Sequence, residues 1–106
     1  MSRQQGAVAD VTRRQLEEVA LETRDRMRQF VVDNFYVADP SDLADDTSLI
    51  NSGLVDSTGM LEVIAFLESE LGVRVMDQEM IPANLETIGR IVDFVARKRA
   101  AAGPAT

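Results

Sequence analysis

The sequence predicts an all-α fold, a four-helix bundle of three main helices and one short helix, with a long loop between the first two. Three segments carry apolar residues at the 3.6-residue spacing of amphipathic helices, and turn-forming residues separate them. The alternating residues 73–75 are too few to form a strand. Because the 106 residues include no cysteine, packing of one modest core has to stabilise the fold. We expect the domain at 10–100, between a disordered leader (1–9) and a disordered tail (101–106).

The first helix is predicted from Thr12 to Asn34. Thr12 and Gln15 have the spacing of a capping box at a helix start. The many arginines are interpreted as a solvated face with Glu–Arg pairs four residues apart, such as Glu22 with Arg26. Apolar residues recur near helical spacing at Leu16, Ala20, Met27, Phe30, Val31 and Phe35.

The long loop occupies residues 35–56. Two stretches within it, residues 39–42 and 51–53, are typical turn sequences, and no helical period links them. Its apolar residues are expected to anchor the loop on the core; they are Leu43, Leu49, Ile50, Leu54 and Val55. A loop of this length with such anchors indicates a functional segment.

The second helix is predicted over residues 57–71, and Gly72 ends it. A short helical turn is expected within residues 77–86, and a last helix follows before Gly103 and Pro104, with a basic C-terminal turn. The core stripe of the second helix consists of Met60, Val63, Ile64, Leu67 and Leu71. The core stripe of the last helix consists of Ile88, Ile91, Val92 and Val95.

The face of the second helix opposite its core stripe begins with Ser57. At about 100° per residue, this outward row contains Ser57, Leu61, Ala65 and Glu68, with Thr58, Glu62 and Ser69 beside them. Apolar residues between acidic ones are typical of a docking surface, although an ordinary solvated helix face has the same composition. The residues by themselves favour Ser57 as the helix cap, a role that Asp56 fits equally well. Either interpretation leaves the hydroxyl of Ser57 exposed.

The composition excludes several functions. Without histidine or cysteine the chain has neither a Ser-His-Asp triad nor a thiolate metal site, so self-contained hydrolysis is not expected. No apolar run is long enough for a membrane span and the N-terminus lacks a signal-peptide centre, so we expect a cytoplasmic protein. Four methionines are interpreted as core fillers, namely Met27, Met60, Met76 and Met80.

Negative charge is concentrated in the middle of the chain. The net charge is −7, and from Asp42 to Glu86 there are ten acidic residues and a single base, Arg74. Such a segment repels nucleic acid phosphates and attracts basic protein surfaces.

Residues 45–75, DDTSLINSGLVDSTGMLEVIAFLESELGVRV, resemble acyl carrier proteins and the related peptidyl carrier domains. The shared features are an acidic loop that ends in GLVDS, a serine that opens an acidic amphipathic helix, and LESELGV with its Gly-Val exit. The likeness continues more loosely through PANLETIGRIVDFV at 82–95 and back into the first helix.

This resemblance implies a monomeric carrier, without catalytic residues or a bound metal, that has 4′-phosphopantetheine attached to Ser57. A phosphopantetheinyl transferase would move the group from coenzyme A with magnesium, and Asp56 would help to orient the metal and phosphates. The group's thiol would carry an acyl or aminoacyl thioester from a loading enzyme to downstream enzymes of fatty acid, polyketide or nonribosomal peptide type biosynthesis. Their basic docking surfaces would contact Thr58, Leu61, Glu62, Ala65 and Glu68.

Two residues depart from the family pattern. Thr58 replaces the usual large apolar residue, and Gly59 replaces a position that is often polar or acidic. Glycine within a helix costs about 1 kcal/mol relative to alanine. Gly59 is interpreted either as allowing the backbone of a partner to approach closely or as loosening the helix start. The alternative function is a carrier-like module that is never modified and only binds a protein through its acidic helix.

Overall fold

The computed structural model describes the backbone of residues 2–102, with the side chains of 14–15 and 17–101. Within that part of the chain all regular structure is helical, which confirms the predicted all-α fold. The four helices are α1 (Ser2–Asn34), α2 (Ser57–Glu70), α3 (Pro82–Leu85) and α4 (Ile88–Ala102), and two 3₁₀ turns are formed by Pro40–Asp42 and Asp77–Glu79. None of these helices has the length and apolar character that crossing a bilayer requires.

The first helix is longer than its sequence pattern indicated. It begins at Ser2, so Thr12 and Gln15 lie inside α1 and the predicted capping box is wrong. Residues 2–9 contain no proline to stop the helix, although they lack the apolar period from which a helix is predicted. The helical backbone therefore includes the expected leader except Met1, which is outside the described residues. Of the tail expected at 101–106, the first two residues are helical and residues 103–106 lie outside the described part.

One side of each main helix forms the core. In α2 the predicted stripe is buried from Val63 to Leu71, with Met60 half-buried at its start, and the predicted stripe of α4 is buried throughout. The α1 contribution includes Thr23, which the apolar pattern did not reveal. Its hydroxyl donates to the carbonyl oxygen of Val19 at 2.7 Å, so the polar group is satisfied inside the core.

The helices α1 and α2 run antiparallel. At one end Arg26 lies 3.7 Å from the carboxylate of Glu70, and its guanidinium also donates to the carbonyl oxygen of that residue at 3.2 Å. One turn further along α1, the ring of Phe30 stacks on Phe66 with 4.4 Å between centroids. Arg26 is therefore paired with α2, and the predicted pairing with Glu22 is wrong because the solvated face of α1 borders another helix.

Backbone hydrogen bonds attach the long loop to the other end of the chain. The amide of Leu49 donates to the carbonyl oxygen of Glu86, and the amide of Gly89 donates to that of Asp45, both at 2.9 Å. Each bond joins the loop to the chain around α3 and the start of α4. The loop is consequently part of the folded bundle, as its apolar anchors predicted.

One of the predicted anchors has a different position. Leu43, Leu49 and Val55 are buried and Leu54 is half-buried, but Ile50 is 44% exposed. Ile50 lines an open cavity of about 350 Å³ between the loop, α2 and α3. Because its side chain borders this open cavity, Ile50 is not a core residue.

Two of the four methionines are also outside the core. Met27 is fully buried and Met60 is half-buried, whereas Met76 and Met80 are about 40% exposed. They flank the 3₁₀ turn of Asp77–Glu79, which has no buried residue of its own. The interpretation of these two as core fillers is wrong, since one turn at the surface has no inner face to cover them.

Candidate functional site

Asp56 caps the start of α2. Its backbone is extended (φ −92°, ψ −175°), and its side chain folds back so that Oδ1 accepts a hydrogen bond from the Gly59 amide at 2.7 Å. Its carbonyl oxygen accepts from the Met60 amide at 2.9 Å, the first bond of the helix. The prediction that Ser57 is the cap is wrong, because Ser57 already has helical backbone and only the extended residue before it reaches the free amides.

The hydroxyl of Ser57 is left exposed by this arrangement. Ser57 is the first helical residue and lies at the surface, as does Thr58 beside it. Among the described residues, the hydroxyl of Ser57 has no hydrogen-bond partner, nor do the amides of Ser57 and Thr58. The amides at a helix start carry the positive end of the helix dipole, so this surface is favourable for an anionic group.

The predicted outward row of α2 faces the solvent. Leu61 is 62% exposed, and acidic residues lie next to it along the helix. The exposed residues of this surface are Ser57, Thr58, Leu61, Glu62, Ala65, Glu68 and Ser69. We call these seven residues the α2 outer face. Its apolar centre and acidic edges have the composition of a small docking surface.

Glu68 has a structural role that the sequence did not reveal. Its Oε2 accepts a hydrogen bond from the amide of Val75 at 3.1 Å, which holds the extended segment after α2 against the helix. Val73 and Val75 are buried there, while Arg74 between them is exposed. The alternation of valine and arginine predicted the two faces of this segment but not the carboxylate that binds it.

Gly59 faces the interior. A Cβ atom at this position would lie 2.6 Å from Cε1 of Phe35 and 3.2 Å from Cγ1 of Val55. Glycine therefore allows an aromatic ring of the same chain to pack against the backbone of the first turn of α2. The interpretation that Gly59 admits the backbone of a partner is wrong, because the residue is buried.

The surroundings of Ser57 are acidic. The sequence has no lysine or arginine from residue 29 to residue 73. The nearest arginines before this stretch are bound to other groups: Arg26 contacts Glu70, and Arg28 donates to the loop carbonyl oxygens of Leu43 and of Pro40, the latter at 2.9 Å. These arginines of α1 thus stabilise the fold, and within the described side chains Glu62 and Glu68 of the α2 outer face form no salt bridge with a basic residue.

The site has an accessible nucleophile without a catalytic apparatus. The sequence provides no histidine, and no residue of the described part forms a hydrogen bond with the Ser57 hydroxyl that would activate it. Within that part there is also no group of three acidic side chains placed to bind a metal ion. The hydroxyl is therefore suited to accept a group that another protein transfers.

Comparison with protein families and with curated proteins extends these observations. A family model described as "PP-binding: Phosphopantetheine attachment site" matches residues 25–95. An acyl carrier protein of Acidothermus cellulolyticus is 39% identical over 56 residues, which are 53% of this chain and 64%, less than two thirds, of that protein. A D-alanyl carrier protein of Streptococcus thermophilus is 34% identical over 69 residues, 65% of this chain and 86% of that protein. An acyl carrier protein of Rhodococcus erythropolis is 30% identical over 70 residues, 66% of this chain and 75% of that protein.

Proposed function

Because the chain belongs to the PP-binding family of phosphopantetheine attachment domains, we propose that Ser57 holds its 4′-phosphopantetheine group and presents a thioester-bound acyl or aminoacyl intermediate to partner enzymes. As a member of this family the chain is a non-catalytic carrier protein. The observation that supports Ser57 is its hydroxyl, exposed and without a partner in the described chain, at the first turn of α2. A cytoplasmic location is part of the proposal and rests on the sequence.

The start of α2 fits this prosthetic group. The exposed Oγ of Ser57 is available to form a phosphate ester, and the free amides of Ser57 and Thr58 favour the negative charge of the phosphate. Asp56 uses Oδ1 for the cap, which leaves Oδ2 available to a metal ion in the complex with the transferase. When bound, the group supplies a thiol that forms thioesters with the cargo.

The cavity beside α2 favours an apolar cargo. It is lined by Met60, three residues along α2 from Ser57, and by Ile50, Ile81 and Leu85. An acyl chain would bury apolar surface there, whereas an aminoacyl group would bring a charged amine to a largely apolar wall. Within the proposal we therefore favour acyl cargo, and mass spectrometry of the thioester from native cells tests it. A recovered aminoacyl thioester would contradict this preference.

Partner enzymes are proposed to dock on the α2 outer face. Leu61 provides an apolar contact at its centre and Glu62 an exposed acidic contact at its edge. The phosphopantetheinyl transferase, the loading enzyme and the downstream enzymes would each present a basic surface. Such charge pairs mainly raise the association rate, so docking is expected to weaken with salt. The pathway, of fatty acid, polyketide or nonribosomal peptide type, follows from which partners are found.

Intact-mass measurement tests the attachment site. The protein is incubated with coenzyme A, magnesium and a broad-specificity phosphopantetheinyl transferase. We expect a mass increase equal to one phosphopantetheine in the wild type and none in Ser57→Ala. Ser69→Ala is the matched control, since Ser69 is an exposed serine on the same helix and its loss should leave the modification intact. No mass increase in the wild type would support the unmodified interaction module, and modification of Ser57→Ala would place the site elsewhere.

Charge changes on the α2 outer face test the docking proposal. Glu62→Lys is expected to lower the rate of loading by a cognate enzyme, most strongly at low salt. For Glu68 the suitable change is Glu68→Gln, because its amide oxygen can still accept from Val75 while the charge is removed. Glu17→Lys, on the exposed side of α1, is the control for net charge. Loading rates that stay unchanged for Glu62→Lys at low salt would contradict docking at this surface.

A further inference from the structure

Tyr36 is the most exposed large apolar side chain in the described part of the protein. It exposes 86% of its area, compared with 62% for Leu61 and 58% for Leu21. A single exposed apolar residue is common on protein surfaces and needs no explanation by itself. The position of Tyr36 relative to Ser57 is what gives its exposure a meaning.

The packing of α1 on α2 places Tyr36 beside the start of α2. The antiparallel pairing proceeds from Phe30 on Phe66 to Phe35 at Gly59, and Tyr36 is the next residue. Consecutive Cα atoms are about 3.8 Å apart and two residues of a helix span only one half-turn, so the Cα atoms of Tyr36 and Ser57 lie within roughly 20 Å. A protein interface of ordinary size, about 800 Å² per partner, is wide enough to span this distance.

The backbone that carries Tyr36 is held by aromatic packing. Phe35 is half-buried, with its Cε1 atom close to the Gly59 backbone and its ring in an edge contact with Phe30 (6.0 Å between centroids, 75° between planes). Phe30 is in turn stacked on Phe66 of α2. Tyr36 is thus attached to a fixed point of the bundle, and a partner that binds its ring orders only one side chain.

The charges around Tyr36 indicate the chemistry of its partner. No basic residue occurs in the sequence between Arg28 and Arg74, and Arg28 is bound to the loop. Asp33 and Asp39 lie three residues before and after Tyr36 in the chain and are exposed, as is Glu62 on α2. An exposed aromatic ring in a segment that has acidic but no basic residues attracts an arginine or lysine, which the ring face can hold.

We propose that Tyr36 extends the docking surface beyond α2 and receives an arginine or lysine side chain of the phosphopantetheinyl transferase that modifies Ser57. This inference rests on the proposed function, because it assumes that Ser57 is the modified residue. Tyr36 contacts the partner and not the reacting atoms, so its effect is expected on binding of the carrier more than on the transfer itself.

The kinetics of modification test this role. With coenzyme A and a broad-specificity transferase, kcat/KM for the carrier is measured by intact mass for the wild type, Tyr36→Ala and Tyr36→Phe. We expect Tyr36→Ala to lower kcat/KM about fivefold, mainly through a higher KM, as loss of one aromatic contact does. Tyr36→Phe keeps the ring and should stay within about twofold of the wild type.

A matched control and a stability measurement complete the experiment. Leu21→Ala truncates an exposed apolar residue of α1, about 20 Å from Tyr36 along the helix axis, and should leave kcat/KM unchanged. Thermal unfolding should give the same Tm for Tyr36→Ala and the wild type, since the side chain is exposed. Equal kcat/KM for Tyr36→Ala and the wild type would overturn the inference while leaving the proposed function intact. Equal losses in Tyr36→Ala and Tyr36→Phe would overturn the ring contact, and a wild type that is not modified at all would overturn both proposals.

Discussion

Two adjacent residues at the start of α2 have different roles: Asp56 caps the helix, and Ser57 has the exposed hydroxyl. Asp56 occupies the extended cap position and satisfies the Gly59 amide, so the hydroxyl of Ser57 is not needed for folding. The proposed attachment site is consequently available at no cost to the cap. The same carboxylate has two proposed tasks, and substitution can separate them.

Replacement of Asp56 distinguishes its capping role from its proposed role in the transfer. Asp56→Asn retains a side-chain oxygen that can cap and should leave stability nearly unchanged, whereas Asp56→Ala should cost about 1 kcal/mol. Both variants lose the negative charge, so both should be modified more slowly at Ser57. Urea unfolding and intact-mass kinetics check the two effects. If Asp56→Asn is modified as fast as the wild type, the carboxylate has only its capping role.

The close packing of the Phe35 ring is predicted to require glycine at position 59. Gly59→Ala gains about 1 kcal/mol of helix propensity, but its Cβ would meet the ring of Phe35 at 2.6 Å, and overpacking costs about 1–3 kcal/mol. We expect a net loss of stability in Gly59→Ala. Phe35→Leu removes the close contact. When Gly59→Ala is added to Phe35→Leu, the double variant should be more stable than Phe35→Leu alone. A Gly59→Ala variant as stable as the wild type with Phe35 present would contradict this packing argument.

Charged groups hold the segment between α2 and α3 in place. Both carboxylate oxygens of Glu79 accept from Nζ of Lys98 in α4, at 2.9 and 3.1 Å, and Oε1 also accepts from the Met76 amide at 2.9 Å. The hydrogen bond from Lys98 is the main cause of a pKa for Glu79 below its ordinary value of 4.5. Ion pairing therefore fixes a turn that buries no apolar residue.

This arrangement predicts a particular pH dependence. Because the pKa of Glu79 is lowered by folding, its contribution to stability is present above about pH 4.5 and is lost as the pH falls through the lower, folded-state pKa. The difference in unfolding free energy between the wild type and Glu79→Gln should therefore shrink with acidification, as urea unfolding at several pH values would reveal. Asp39, whose pKa the Ser41 hydroxyl lowers, contributes in the same direction in both proteins and cancels in this difference. A difference independent of pH would contradict the assignment.

Across the whole molecule, basic and acidic residues that lie far apart in the sequence come into contact in the folded structure. The arginines of α1 contact the acidic loop: Arg24 lies 2.7 Å from Asp45, and Arg28 donates to the carbonyl oxygens of Pro40 and Leu43. The loop is attached on its other side to residues around α3. The excess of arginine in α1 thus stabilises the loop that leads to Ser57, and the α2 outer face keeps its negative charge.

Removal of this attachment is expected to weaken the entire bundle. Arg28→Met keeps much of the apolar stem but loses the hydrogen bonds from the guanidinium to the loop, which should cost about 1–2 kcal/mol. That loss corresponds to a fall in Tm of several degrees, on the order of 4–8 °C per kcal/mol for a domain of this size. Arg14→Met, an exposed arginine of the same helix, is the control and should melt like the wild type. Equal melting of all three proteins would show that the loop holds without Arg28.

The sequence determined the helices and the outward direction of Ser57. Apolar residues at helical spacing predicted the buried side of α2 from Val63 to Leu71, and the opposite side followed by rotation about the helix axis. These properties depend on residues close together in the chain, so periodicity reveals them. The start of α1 did not follow in this way, because the sequence of residues 2–9 has no apolar period that would predict a helix.

Only the tertiary structure decided which groups from distant parts of the chain meet. Four features depend on how the helices are placed against one another. They are the contact of Gly59 with Phe35, the hydrogen bond between Glu68 and Val75, the position of Tyr36 beside α2 and the binding of Arg28 to the loop. The spacing of residues on one helix constrains the direction of a side chain but carries no information on the element that packs against it. For this reason the sequence identified the candidate serine, while the surface around it was defined by the packing of α1 and the loop on α2.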